Sequence, residues 1–200
     1  GYFERQGDIY NDPEAPPSGL TATGGIISDY SQSGTVYRAH IFTGSGDFDV
    51  TELGNFGNTI DALLVGGGGA GGNYGGGGGG GAVVHVENKP IGTGPNTIVI
   101  ASGGAGTAWG SDSLPVPAAR DGGSTTFLGY TATGGGGAGG YDNQSARSGA
   151  NGGGQGAYLG PPNTPQGVAG TSPTQPSQLS PYSTVYAGNR GGTFGSSKSP

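Results

Sequence analysis

Thr59-Ile60-Asp61-Ala62-Leu63-Leu64-Val65 runs into Gly66-Gly67-Gly68-Gly69-Ala70-Gly71-Gly72, and Gly75–Gly81 leads out through Ala82-Val83-Val84-His85-Val86. The flanks are β-like: apolar, β-branched and short. The glycines between them are harder to place. Glycine loses more backbone freedom on ordering than any other residue and has no side chain to bury in return. Such a block is either a flexible tether or main chain packed so closely that nothing larger fits. A tether mixes Gly with Ser and joins domains, whereas this block is almost free of Ser and sits between strands. The second option is therefore preferred here.

Polyglycine has an ordered form of that kind, the extended left-handed helix of three residues per turn. It rises ~3.1 Å per residue, so Gly75–Gly81 would span ~22 Å, and it makes no internal hydrogen bonds. Its amides point sideways and can bond neighbouring helices. Ordering each glycine costs about 1–2 kcal/mol, against about 1 kcal/mol net per hydrogen bond. One helix alone would melt, so a bundle needs every buried amide paired and strands at its ends. Gly66, Gly67, Gly68, Gly69, Gly75, Gly76, Gly77, Gly78, Gly79, Gly80, Gly134, Gly135, Gly136 and Gly137 are the expected lattice. The expected fold class is all-β with polyglycine-II-like helices and little or no α-helix.

Composition supports a chain whose polar groups are mostly its own amides. Of 200 residues 50 are Gly, only 30% are hydrophobic and 10% are charged, the last far below the roughly 25% of an ordinary domain. The net charge is −6, with 7 Lys and Arg together. That leaves no cationic footprint for nucleic acid or for an anionic membrane surface. No apolar run reaches ~20 residues, so membrane insertion is not expected. With no Cys there are no disulfides, thiolate metal sites or Cys nucleophiles. The absence of Met reads as a processed product or an excerpt of something longer.

Three regions follow from the pattern. Residues 1–34 read as an irregular lead-in with aromatic spots and a stiff Pro-rich spacer, docking on its own domain or on a neighbouring subunit. Residues 35–140 form the β-rich, glycine-rich domain. Within it, 36–42 and 47–51 are expected as a hairpin with Phe48 and Val50 inward. The run 59–65 looks the most buried, followed by strands at 82–86 and 97–101, and 124–131 closes the region as one strand. Residues 141–200, rich in Gly, Pro and Ser, form an extended segment. The echo of Thr21-Ala22-Thr23-Gly24-Gly25 in Thr131-Ala132-Thr133-Gly134-Gly135 suggests two equivalent strand ends.

Searching for chemistry yields little. Gly-x-Gly-x-x-Gly is trivial in polyglycine, and no Lys follows a glycine block as a phosphate loop requires. His40 and His85 alternate with apolar neighbours as half-buried strand residues. Asp47 and Asp49 share a strand face that solvation explains. No catalytic residue, metal or cofactor is expected. Exposed aromatics are the candidates for glycan or receptor contact: Tyr74, Trp109, Tyr141 and Tyr158. Asn143-Gln144-Ser145 is a glycosylation sequon, which makes Asn143 a candidate acceptor.

The order His40–Thr51, Ile60–Gly72, Gly80–Val86, Asn96–Gly106 and Gly123–Gly140 resembles the glycine-rich domain of bacteriophage tail-fibre proteins, a type frequent in marine phages. The resemblance implies a virion or extracellular fibre, a homo-oligomer (a trimer above all), further fibre or virion subunits as partners, and loops displayed to a host surface glycan or protein. Other readings are a self-assembling secreted fibril without a receptor and a surface-polysaccharide hydrolase.

Overall fold

The computed structural model describes residues 18–55, 57–72, 76–106, 121–140 and 145–154, and the backbone of a strand at 183–186. Among these residues every strand pairing is antiparallel and there is no helix. The strands are β1 (Thr21–Thr23), β2 (Ile26–Gln32), β3 (Thr35–Ile41), β4 (Gly46–Glu52), β5 (Thr59–Val65), β6 (Val83–Pro90), β7 (Gly94–Ile98), β8 (Thr125–Phe127), β9 (Tyr130–Ala132) and β10 (Ser183–Tyr186). Two three-stranded sheets, β1-β4-β7 and β10-β6-β5, stand beside two separate hairpins, β2-β3 and β8-β9.

Alternation builds the core. On β4, Phe48 and Val50 are buried while Asp47 and Glu52 face water; on β6, Val84 and Val86 are buried and His85 is half-buried. Leu64, Ile98, Phe127 and Tyr130 pack against them. The Phe127 ring meets the Phe48 ring edge-on at 6.2 Å, a geometry that aromatic quadrupoles favour. An isolated bridge from Val99 to Thr126 ties the end of β7 to β8.

The strand partners differ from the expected ones. The segments at 36–42 and 47–51 do not pair with each other: β3 takes β2, and β4 lies between β1 and β7. Ser33 and Gly34, at φ 51° and 82°, make a two-residue turn whose backbone suits the right-handed twist of a hairpin. It captures β3 for β2 before β4 is reached. The supposed irregular lead-in therefore holds two strands, β1 and β2. The run 124–131 folds back on itself at Leu128-Gly129, whose φ values are 49° and 82°. β5, read as the most buried strand, has Leu64 inside but Leu63 and Val65 exposed. It is an edge strand with one face on the core and one on solvent. The region 141–200 contributes β10, paired to β6 from Ser183↔Val86 to Tyr186↔Val83. The two Thr-Ala-Thr-Gly-Gly echoes both end strands, but Gly24 and Gly25 turn at positive φ, while Gly134 and Gly135 run on extended among other main chains.

Candidate functional site

Beyond the strands the glycine segments bond to each other at every third residue. Gly66, Gly69 and Gly72 donate their N–H groups to Ala82, Gly79 and Gly76 carbonyls, each at 2.8 Å. Gly79 and Ala82 donate to Gly136 and Thr133 at 2.8 Å. Gly135 and Ala138 donate back to Gly67 and Ala70 at 2.9 Å. Segments 66–72 and 133–140 thus run the same way and 76–82 runs against both. A β-ladder repeats every second residue; this one repeats every third.

Further main chains pack around that trio. Gly104 donates to Gly68, Gly122 to Gly135, and Gly67 to Gly123. From the far side of 133–140, Gly136 donates to Asn151 and Gly139 to Gly154, while Arg147 and Ala150 donate to Gly137 and Gly134. Segment 133–140 is the centre, buried from Gly134 to Gly140. Alanine is admitted at four buried positions, Ala70, Ala82, Ala138 and Ala150.

Register comes from the strands. Val65↔Val83 is the last pair of β5 and β6, and the bond from Gly66 to Ala82 continues it without a shift. Thr125↔Ala132 ends the β8–β9 pairing, and Gly122 to Gly135 continues that one. Glycine carries no side chain to specify alignment, so slippage is a hazard wherever it pairs alone. Here each glycine segment inherits its alignment from a strand with a buried face.

Side chains pin the assembly at a few points. Asp121 Oδ1 accepts from Gly137 N–H at 2.9 Å, and its Oδ2 accepts from Arg147 Nε at 2.6 Å. This half-buried pair joins three segments. Thr125, buried, donates through Oγ1 to Val65 O at 2.7 Å and accepts from Ala101 N–H at 3.1 Å. Asn151 Nδ2 donates to Gly80 O at 2.9 Å. None of these was picked out from sequence. A signal was present: Asp121 opens a run without charge to residue 141, and Arg147 is the only charged residue between Asp142 and Arg190.

The glycines named from sequence fall into two sets. At Gly66, Gly67, Gly69, Gly76, Gly78, Gly79, Gly134, Gly135 and Gly136 an added Cβ would come under 3.0 Å from another main chain. At Gly68, Gly77 and Gly80 it would find room, with nothing nearer than 3.7 Å. Gly137 is held by Asp121 and Arg147. Gly75 lies outside the described residues, as do Tyr74, Trp109, Tyr141, Asn143 and Tyr158.

The bundle has two unlike ends. β5, β6, β8 and β9 enter or leave at one end. At the other, Gly72 is bonded to Gly76 across 73–75, Asp121 is level with Gly137, Arg147 is bonded to Gly137, and Gly154 is bonded to both Gly139 and Gly77. Segment 101–106 also runs that way, with Ser102 O beside Gly67 and Gly104 bonded to Gly68 O. Among the described residues no group of three or more His, Asp or Glu is placed to hold a metal ion.

A small β-domain that gathers glycine main chains into one bonded bundle is the class of protein this geometry defines. A family model described as a glycine-rich domain matches residues 43–200, and the chain belongs to that family. No curated protein and no solved structure matches it.

Proposed function

We propose that the chain is a structural and adhesive part of an extracellular fibre, best fitted to a phage tail fibre, and that its glycine segments are polyglycine-II helices. The observation that carries this reading is the three-residue hydrogen-bond interval, together with the position of Gly72, Gly76, Asp121, Gly139 and Gly154 at the end away from the strands. An interval of three matches the repeat of the extended glycine helix. A bundle with strands at its base suits display, because the strands give it a stiff support. Tyr74, Trp109, Tyr141 and Tyr158, which follow those segments in sequence, are the residues proposed to touch a host surface glycan or protein. Aromatic rings suit that task because they offer a large apolar face beside a polar edge. Asn143 is the proposed acceptor wherever a glycosylating host makes the chain. Homo-oligomerisation, a trimer above all, and further virion subunits complete the proposal, which assigns no catalytic step, cofactor, nucleic acid or membrane insertion.

The test is adhesion by the purified chain. Fluorescently labelled protein should bind cells of a susceptible bacterial host, and Trp109→Ala and Tyr158→Ala should weaken binding at least tenfold while leaving the melting temperature unchanged. Equal binding by both variants, or none by the parent across a panel of hosts, would remove the adhesive role.

A further inference from the structure

The hairpin β2-β3 projects from the rest of the fold and is anchored near its base, where the His40 ring meets the buried Phe48 ring edge-on at 5.0 Å. Every residue of β2 is exposed, as are all of β3 except Ala39 and His40, which are half-buried. A lone two-stranded hairpin is marginal in water, and this one is also covered with apolar side chains. Its register sorts them. Ile26 faces Ile41, Ser28 faces Ala39, Tyr30 faces Tyr37 and Gln32 faces Thr35, and alternation puts these four pairs on one face. Tyr30 and Tyr37 stack at 5.3 Å with their planes 15° apart. The other face carries Asp29 and Arg38, bonded to each other at 2.7 and 2.8 Å.

On the first face Ile26 is 62% exposed, Tyr30 51%, Ile41 48% and Tyr37 43%. At about 200–250 Å² for each whole residue, these four leave on the order of 450 Å² in water, most of it apolar, within the size of the largest patch on a typical monomer. With the exposed Ser28, Gln32 and Thr35 the face reaches about 650 Å², so two such faces together would bury about 1,300 Å², inside the range of specific interfaces. The charge pattern favours a like partner. The chain has a net charge of −6, which opposes self-association. This face has no Asp, Glu, Lys or Arg, and the hairpin's only acid and base neutralise each other on the opposite side. Two copies meeting here escape the repulsion they would feel elsewhere.

We propose that this face is the docking surface for a second copy of the chain, the two hairpins packing face to face. The proposal deepens the homo-oligomer part of the reading above and does not depend on adhesion. Because both copies offer the same face, the contact is isologous and closes as a twofold dimer; a trimer would need a different, head-to-tail surface.

Sedimentation of the full chain at 10–100 µM, roughly the range where a modest interface declares itself, is the test. The parent should be oligomeric. Tyr30→Lys and Ile41→Lys should each raise the dissociation constant at least tenfold, while Val36→Lys on the opposite face should leave it within twofold. A parent that stays monomeric overturns the proposal. Variants that assemble like the parent overturn it too, because assembly then uses a strand edge or another surface. So does an equal effect of Val36→Lys, or a Tyr30→Lys that loses only glycan binding. Ser28→Cys guards against misfolded variants: the chain has no other Cys, so mild oxidation should give a covalent dimer in more than half of the material. A failure to cross-link also counts against the face. Loss of host binding with assembly intact would fall on the adhesive function alone.

Discussion

At Gly78 an added Cβ would lie against the carbonyl of Gly69, whereas at neighbouring Gly77 it would meet nothing within 4 Å. Two adjacent glycines of the same run therefore answer differently to substitution. Gly78→Val should lower stability by about 3 kcal/mol or more, since the obstruction is main chain and cannot rotate aside. Gly77→Ala should raise it by about 0.4–1 kcal/mol, through the freedom removed from the unfolded chain. Urea unfolding of the two variants checks both signs, and equal losses would contradict the packing. Asp121 is the other residue with a sharp expectation. Its carboxylate ties 121–123, 133–140 and 145–154 together. Asp121→Ala should cost about 2 kcal/mol, as expected for hydrogen bonds to a charged group that is only half-buried. The same unfolding measurement reads it.

Among the elements, the glycine segments were legible and the strand pairing was not. Gly66–Gly69 and Gly75–Gly81 announce close main-chain packing, because nothing else repays so much lost entropy. Which strand takes which partner depends on turns such as Ser33-Gly34, where Ser33 adopts a positive φ that its type does not advertise. The edge position of β5 was hidden for a different reason: Leu63 and Val65 look like core residues, and exposure depends on what the other sheet covers. The pinning residues Asp121 and Arg147 lie 26 positions apart, beyond any local pattern. Two expectations belong at this scale. One Gly inserted between Gly68 and Gly69 should shift every later bond of 66–72 and sharply lower the melting temperature. Three inserted residues should restore the alignment and be tolerated better than one or two. A β-ladder would instead tolerate two, so the series distinguishes the repeats. On β2 the hydrogen bond from Arg38 holds the Asp29 carboxyl below its ordinary value of 3.8. The support it gives the hairpin is complete above that value and is lost as the pH falls through the lower folded one. Carboxyl chemical shifts should titrate below 3.8 in the parent and move up in Arg38→Gln.

For the whole molecule, the β-core and the glycine bundle should behave as one cooperative unit. Phe48, Val84 and Phe127 fill the space beneath the bundle, and Ala82, Ala132 and Ala150 bring its base into the same apolar cluster. Amide exchange should therefore protect Gly69, Gly79, Gly135 and Ala138 to within about 1 kcal/mol of the β6 amides, because both would open only through global unfolding. Fast exchange or free tumbling of those four would mean that the bundle is loose. The glycine-rich family was accessible from composition and segment order up to residue 140, whereas the family model's match runs from 43 on to 200. The function was not, because the connections with the candidate aromatics carry no motif whose chemistry names a ligand.

The inherited register has a genetic corollary. Runs of glycine codons expand and contract by replication slippage, and most such changes go unpunished in a tether. In this chain a tract anchored by a strand at its base keeps its bonds only when it grows or shrinks by multiples of three residues. Related genes should therefore differ in tract length in steps of three codons, and intermediate lengths should be rare.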